Sequence, residues 1–283
     1  MDSFVVPKPS LSEVEYGNIP LFTDDALFEA CGVRIAFTTR AGGVSSGSYG
    51  TLNLADHVAD DHGAVMKNRA CLMHAIAPEL HRCHDEVLIV PNQVHGDTVV
   101  SIDSSDEIEH VKLEVAQGAD AIIVDAREIA ALLCFADCVP LIIVLPTGRF
   151  AVVHAGWRGV ENTIAAKTLS LMLEQEKRAS GASPHDIVAA TNVYIGPYIH
   201  RECFETNEEI HDLFTTKFGD ACDFDAHHID LGAALRVQLM QRGIEPARIC
   251  DLDICTVCNN DRFFSYRAQS GIAGRHGALA IRL

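Results

Sequence analysis

Four short apolar runs, at 121–124, 131–135, 141–145 and 150–154, crowd the middle of the chain, each bounded by Gly, Pro or Asp. Runs of this length closed by turn formers read as strands. Because they are apolar throughout rather than alternating, they suit a sheet covered on both faces. Further strands are expected at 33–38, 87–90, 98–102, 188–195, 263–267 and 278–283. Helices are expected at 61–76, 205–218 and 231–242, and at 160–177, where Ile164, Thr168, Leu171 and Met172 share one side. Adjacent strands mixed with helices predict an α/β or α+β layered sandwich of mixed sheets, not a regular βαβ array. No Pro/Gly/Ser-rich linker divides the chain, so a single domain over 1–283 is expected, with 1–20 an irregular lead-in.

Composition narrows the function classes. A net charge of -17 argues against a general binder of nucleic acid or anionic membrane, though not against a local basic pocket. The first fifteen residues lack a basic stretch followed by an apolar core, so a cytoplasmic protein is expected. The longest apolar stretch, 129–145, is interrupted by Asp137 and Pro140, which leaves no candidate membrane span. Ten cysteines in 283 residues form no dense disulfide framework, and most are expected as reduced thiols.

Three of the strand ends carry metal-binding side chains: His95 in a Gln-Val-His-Gly turn, Cys138 after Ala-Asp, and His154 opening His-Ala-Gly-Trp-Arg-Gly. Two imidazoles and one thiolate can hold zinc and leave a fourth position for water, the pattern of a catalytic rather than a structural ion. Cys138 beside a histidine also fits a thiol nucleophile with His154 as base, and a plain buried cysteine is the commonest case of all. Asp137, just before it, is a candidate proton acceptor or a turn cap.

Two arginines sit in glycine-bearing motifs, Arg40 before Gly42-Gly43 and Arg158 between Gly156 and Gly159. Glycines admit a small anion close to the backbone, a guanidinium binds phosphate in a fork, and a helix starting near Val160 adds its dipole. The competing reading is that both arginines brace turns. Cys255-x-x-Cys258 lacks the second pair that a zinc ribbon needs, and both read as structural thiols, with Cys255 a candidate pocket residue. His57, His62, His227 and His228 follow no ligand pattern. Nucleotide P-loop, dinucleotide, nucleophile-elbow and base-deaminase signatures are all missing from the sequence.

Read in order, these motifs resemble the YfiH or laccase-domain family, whose members are described as polyphenol oxidases, purine nucleoside phosphorylases and peptidoglycan editing factors. The matching residues run from Thr39-Arg40-x-Gly42-Gly43-Val44-Ser45 through Leu52-Asn53-Leu54, Asn68-Arg69, Gln93-Val94-His95-Gly96, Gly118-Ala119-Asp120-Ala121 and Ala136-Asp137-Cys138. They continue with His154 to Gly159, Ile195-Gly196-Pro197, Cys255-Thr256, Phe263 to Arg267 and Gly274-Arg275. The chain departs from the family pattern at Phe135, where threonine is usual, and at Thr206-Asn207, where Val-Gly is usual; pocket shape is what these changes affect.

The resemblance implies a cysteine-hydrolase-like fold, zinc at His95, Cys138 and His154, and phosphorolysis of adenosine, inosine and methylthioadenosine together with adenosine deamination. Arg40, Asn53, Arg158 and Cys255 are the candidate substrate or phosphate contacts. The implied partners are a purine nucleoside and phosphate. Copper-dependent polyphenol oxidation is a weaker reading, since one two-histidine, one-thiolate centre can carry electrons but does not by itself reduce oxygen to water. The remaining alternative is a thiol amidase acting on a cell-wall precursor peptide through Cys138.

Overall fold

The computed structural model of the protein describes residues 6–283, and its fourteen strands account for the apolar pattern. In chain order they are β1 Ser12–Tyr16, β2 Ile19–Thr23, β3 Val33–Thr38, β4 Leu88–Ile89, β5 Val99–Ile102, β6 Ala121–Val124 and β7 Ala130–Phe135. Then follow β8 Val139–Val144, β9 Phe150–Ala155, β10 Asn192–Ile195, β11 Asp223–Asp225, β12 His228–Ile229, β13 Ile249–Asp251 and β14 His276–Arg282. Twelve of them build two six-stranded sheets, ordered β1-β2-β3-β14-β7-β4 and β13-β10-β8-β9-β6-β5. Both sheets are mixed: β4 pairs with β7, β5 with β6, and β10 with β13 in parallel, and the other neighbours run antiparallel.

The uniform apolar runs have a two-sided explanation. Along β8, Ile142 and Val144 join the cluster shared between the sheets, while Leu141 and Ile143 face a second cluster with the helices. β9 repeats the division, with Phe150 and Val152 inward between the sheets and Ala151 and Val153 toward helix Ile164–Ser180. Successive side chains point to opposite faces, so a strand buried on both sides has no polar position to offer. Each such Ile, Leu or Val contributes about 1.5–3 kcal/mol. Helices Asp25–Cys31 and His62–Ile76 supply Leu27, Leu72, Met73 and Ile76 to the cluster that the first sheet shares. The helix Ile164–Ser180 is also tied down electrostatically: buried Arg149 reaches Glu176 at 3.4 Å, Asp125 at 3.1 Å and Asp103 at 2.9 Å. No helix among the described residues is long and apolar enough to cross a membrane.

Four expectations are corrected. The lead-in is not irregular: β1 and β2 form a hairpin around Gly17-Asn18, with Gly17 at φ 64, while residues 1–5 lie outside the described residues. A two-residue Gly-containing loop between strands matches the twist of a hairpin, and this signal outweighs the polar look of the segment. The stretch 188–195 is divided, with helix Pro184–Ala190 ending before β10 begins. Proline at the first helical position, after Ser183, starts the helix that takes up the first part of this stretch. The segment 263–267 runs through a bend and a turn and joins neither sheet, with Phe263, Phe264 and Ser265 buried against the fold. Finally, 160–177 is broken. A five-residue helix, Trp157–Glu161, passes through Thr163 at φ 58 before the long helix starts at Ile164.

Candidate metal centre

The β8–β9 hairpin sets the geometry. Its ladder places Pro140 opposite His154 and Val139 opposite Ala155, so Cys138 and His154 meet at the open end of two buried strands. His95 arrives from the loop between β4 and β5 with a left-handed backbone, φ 58. Asp120, fully buried just before β6, ties this loop to the hairpin. Its carboxylate accepts the His95 N–H at 3.0 Å and the Gly96 N–H at 2.7 Å, and lies 2.8 Å from His154 Nδ1. With Nδ1 occupied, His154 turns Nε2 toward Cys138. A carboxylate behind the ring fixes the tautomer and raises basicity at the other nitrogen.

The donor atoms of His95, Cys138 and His154 all lie within 4.8 Å of one another. Gly156 makes room for them: a Cβ there would stand 3.1 Å from the His95 ring and 3.3 Å from the Cys138 sulfur. Burial would push the Cys138 thiol up, but the His154 charge and hydrogen bonds from His154 and His95 bring it below the ordinary thiol range. Burial likewise opposes charge on His154, and the Cys138 sulfur with Asp120 overcomes it, so His154 is held above the usual imidazole range. Two imidazoles and a thiol that readily ionises are a donor set suited to a borderline-soft ion, and they fit zinc or copper by chemistry alone.

The trio opens into a cavity of about 450 Å³, whose wall includes Asp137, Trp157, Arg158, Phe204, Tyr266, Arg267 and Arg275. A cavity of this size suits a small organic ligand. Three arginines against one lining aspartate make the cavity cationic inside a chain of net charge -17. Arg267 donates to the carbonyls of Cys203 at 3.0 Å and Glu205 at 3.4 Å, and Arg275 to those of Ala273 at 2.6 Å and Gly274 at 3.0 Å. Arg158 is exposed, lies 4.2 Å over the Trp157 ring, and makes no side-chain hydrogen bond or ion pair among the described residues.

The other expected residues are placed differently. Arg40 does not line the cavity: its guanidinium donates to Gly50 O at 3.0 Å and Asn260 O at 2.7 Å and lies 4.4 Å over Phe264. It braces the glycine turn, which corrects the expectation of an anion contact there. Asn53 is fully buried and reaches the cavity only indirectly, accepting the Arg275 N–H at 2.9 Å. Cys255 is buried outside the cavity wall. Asp137, at φ 90, accepts Thr256 Oγ1 and the Arg267 N–H, each at 2.7 Å, so its carboxylate stitches loops together beside the site. The dipole expected from a helix near Val160 is weak here, because the helix at the cavity has only five residues.

Sequence reasoning gave no role to Asp120, Gln93, Arg267 or Arg275. The signal for Asp120 was an acid directly before an apolar strand that pairs with the His154 strand. Gln93 pairs with the Cys134 backbone in both directions, at 2.9 and 2.8 Å. Of the family departures, Phe135 packs its ring 5.5 Å from that of His154, and Asn207 caps the helix Glu208–Phe218 by accepting the Ile210 N–H.

Comparison with known proteins adds to this geometry. The family described as multi-copper polyphenol oxidoreductase laccase matches residues 34–282. A purine nucleoside phosphorylase of Bacteroides thetaiotaomicron is 33% identical over 255 residues, covering 84% of this chain and 87% of that protein. A protein named adenosine deaminase RL5, from an unknown prokaryotic organism, is 32% identical over 254 residues, 86% of this chain and 92% of its own. The crystal structure of YlmD from Geobacillus stearothermophilus superposes with a TM-score of 0.79 at 27% identity, covering 97% of this chain and 99% of that one.

Proposed function

The chain belongs to the multi-copper polyphenol oxidoreductase laccase family, an enzyme family, and from that premise we propose that it is a zinc-dependent purine nucleoside enzyme. Phosphorolysis of adenosine, inosine and methylthioadenosine, with deamination of adenosine, are the reactions assigned. One observation carries the reading: His95, Cys138 and His154 converge, with Asp120 behind His154, at a cationic cavity large enough for a nucleoside. When bound, zinc supplies Lewis acidity and lowers the pKa of a coordinated water toward neutrality.

The chain's own residues supply the rest. Asp120 holds the His154 ring and the His95 loop in register. Trp157, Phe204 and Tyr266 give the cavity the flat apolar surfaces that a purine stacks on. Arg158, with its guanidinium uncommitted, holds phosphate against the ribose C1′, and Arg267 and Arg275 add positive charge without leaving their carbonyl partners. A single such centre does not satisfy the oxygen chemistry of a polyphenol oxidase, which makes zinc the preferred ion over copper.

A second reading has its own observation. Cys138, His154 and Asp120 stand in the order nucleophile, base and orienting acid, the arrangement of a thiol amidase. Protein purified without added metal decides between them. The zinc reading expects one ion at this centre, inosine from adenosine in the absence of phosphate, and adenine with ribose 1-phosphate in its presence. A covalent thioester trapped on Cys138 in metal-stripped, fully active protein would overturn it. Arg158→Ala should reduce phosphorolysis about a hundredfold through weaker phosphate use, the loss of one charge-assisted contact, while deamination suffers less. Its melting temperature should hold, whereas Arg40→Ala should melt earlier and weaken both reactions together.

A further inference from the structure

A second group of donors lies behind the cavity wall. Cys255-x-x-Cys258 lacks a partner pair in the sequence, but the fold brings Cys203 to it, and the three sulfurs lie within 4.8 Å of one another. Cys203 Sγ and Cys258 Sγ are 3.6 Å apart, and the His200 N–H points at Cys255 Sγ at 3.5 Å. All three thiols are free. They sit on two tight turns, one closed by Cys203 N–H to His200 O at 2.9 Å and the other by Asn259 N–H to Cys255 O at 3.0 Å. The turns are already registered to each other, since Tyr198 bridges Cys255 and accepts the Thr256 N–H at 3.0 Å.

A C-x-x-C turn joined by a third sulfur from a neighbouring turn offers three converging soft donors to one ion. We propose that Cys203, Cys255 and Cys258 together bind one thiophilic d10 cation, zinc or copper(I), which clamps the 200–203 turn to the 255–258 turn. On binding, each thiol gives its proton to solvent as its sulfur–metal bond forms, and nothing is oxidised or reduced. Three thiolates close the shell of copper(I); with zinc, a solvent molecule completes four ligands where Cys258 is exposed. Thiolate is the donor that selects such ions over harder ones.

The clamp bears on the cavity from behind. Phe204 follows Cys203 and lines the cavity, and Arg267, also lining it, donates to the Cys203 carbonyl. Filling the cluster therefore steadies one wall of the cavity. The proposal does not rest on the catalytic reading, because it concerns sulfurs that the cavity chemistry does not use.

The test uses the full chain, stripped of metal and reduced, in wild-type, Cys138→Ala, Cys203→Ser and Cys258→Ser forms. Cadmium serves as the probe, read by its sulfur-to-metal ultraviolet absorption; zinc and copper(I) are then counted by elemental analysis in separate arms. Wild type should bind two equivalents. Cys138→Ala should keep one, with the absorption of several sulfur bonds. Cys203→Ser and Cys258→Ser should each lose that equivalent and keep the one at Cys138, with melting temperatures confirming that they fold. A single equivalent in wild type that disappears with Cys138→Ala would overturn the proposal. So would retention of the second equivalent in both serine variants, or a Cys203–Cys258 disulfide, two mass units lighter, formed in preference to metal binding.

Discussion

At one centre of this molecule a single thiol stands between two imidazoles; at the other, three thiols crowd one another between two turns. Both are partly buried, and burial alone raises a thiol. Cys138 nevertheless ends below the ordinary range, because His154 and His95 stabilise its thiolate. Cys203 is pushed up to about 12, first by burial, then by hydrogen bonding with the Cys258 thiol and by the charge of Cys255. At Cys138 the neighbours reverse the direction that burial gives; at Cys203 they add to it. The imidazoles favour the thiolate of Cys138 before any ion arrives, whereas the neighbouring sulfurs disfavour that of Cys203.

The sharpest break between the two centres is functional. Cys138→Ala should lower turnover about a thousandfold or more, the scale of losing a metal's electrophilic contribution together with its proton chemistry. Steady-state rates with adenosine check this, and full turnover in that variant would place the chemistry elsewhere. Alkylation offers the next contrast. In metal-stripped protein, iodoacetamide should label Cys138 at a rate already level across pH 7 to 8, while labelling of Cys203 rises about tenfold per pH unit, since only thiolate reacts. Mass mapping of the labelled peptides reads both at once; equal pH slopes would erase the comparison. The smallest effect falls on the carboxylate behind the first centre. Asp120→Asn should weaken metal affinity there about tenfold to a hundredfold, the usual consequence of losing such a partner, and leave thiol labelling at Cys203 unchanged.

The parts of this architecture that could be read from the chain were those fixed by local chemistry. β3 and β6 match their expected bounds because turn-forming residues flank both, β6 as a continuous apolar run and β3 as one interrupted by Arg34, and helix His62–Ile76 starts where Asp61 caps it by accepting the Ala64 N–H. The trio of His95, Cys138 and His154 was legible because each side chain belongs to a distinct motif at a strand end. The elements that misled were those where tertiary contacts override a local pattern. Phe263 and Phe264 look like strand residues, yet they are buried in a segment that joins neither sheet. Arg40 looked like a phosphate ligand because it precedes two glycines; only the fold shows Gly50 and Asn260 taking its guanidinium. Cys203 lies 52 positions before Cys255, and no spacing rule connects it to the C-x-x-C turn.

The uneven footing of the first trio has a kinetic consequence. His154 lies on β9 and Cys138 directly before its neighbour β8, in the middle of a buried sheet, whereas His95 is exposed on a loop held by Asp120. An ion held by all three is fastened on one side and latched on the other. Were an ion bound there, its release would be expected to begin at His95, ahead of the two donors anchored at the sheet. Residence time would then follow how often one loop opens rather than unfolding of the sheet, and Asp120, which grips both the loop backbone and the His154 ring, would be the catch.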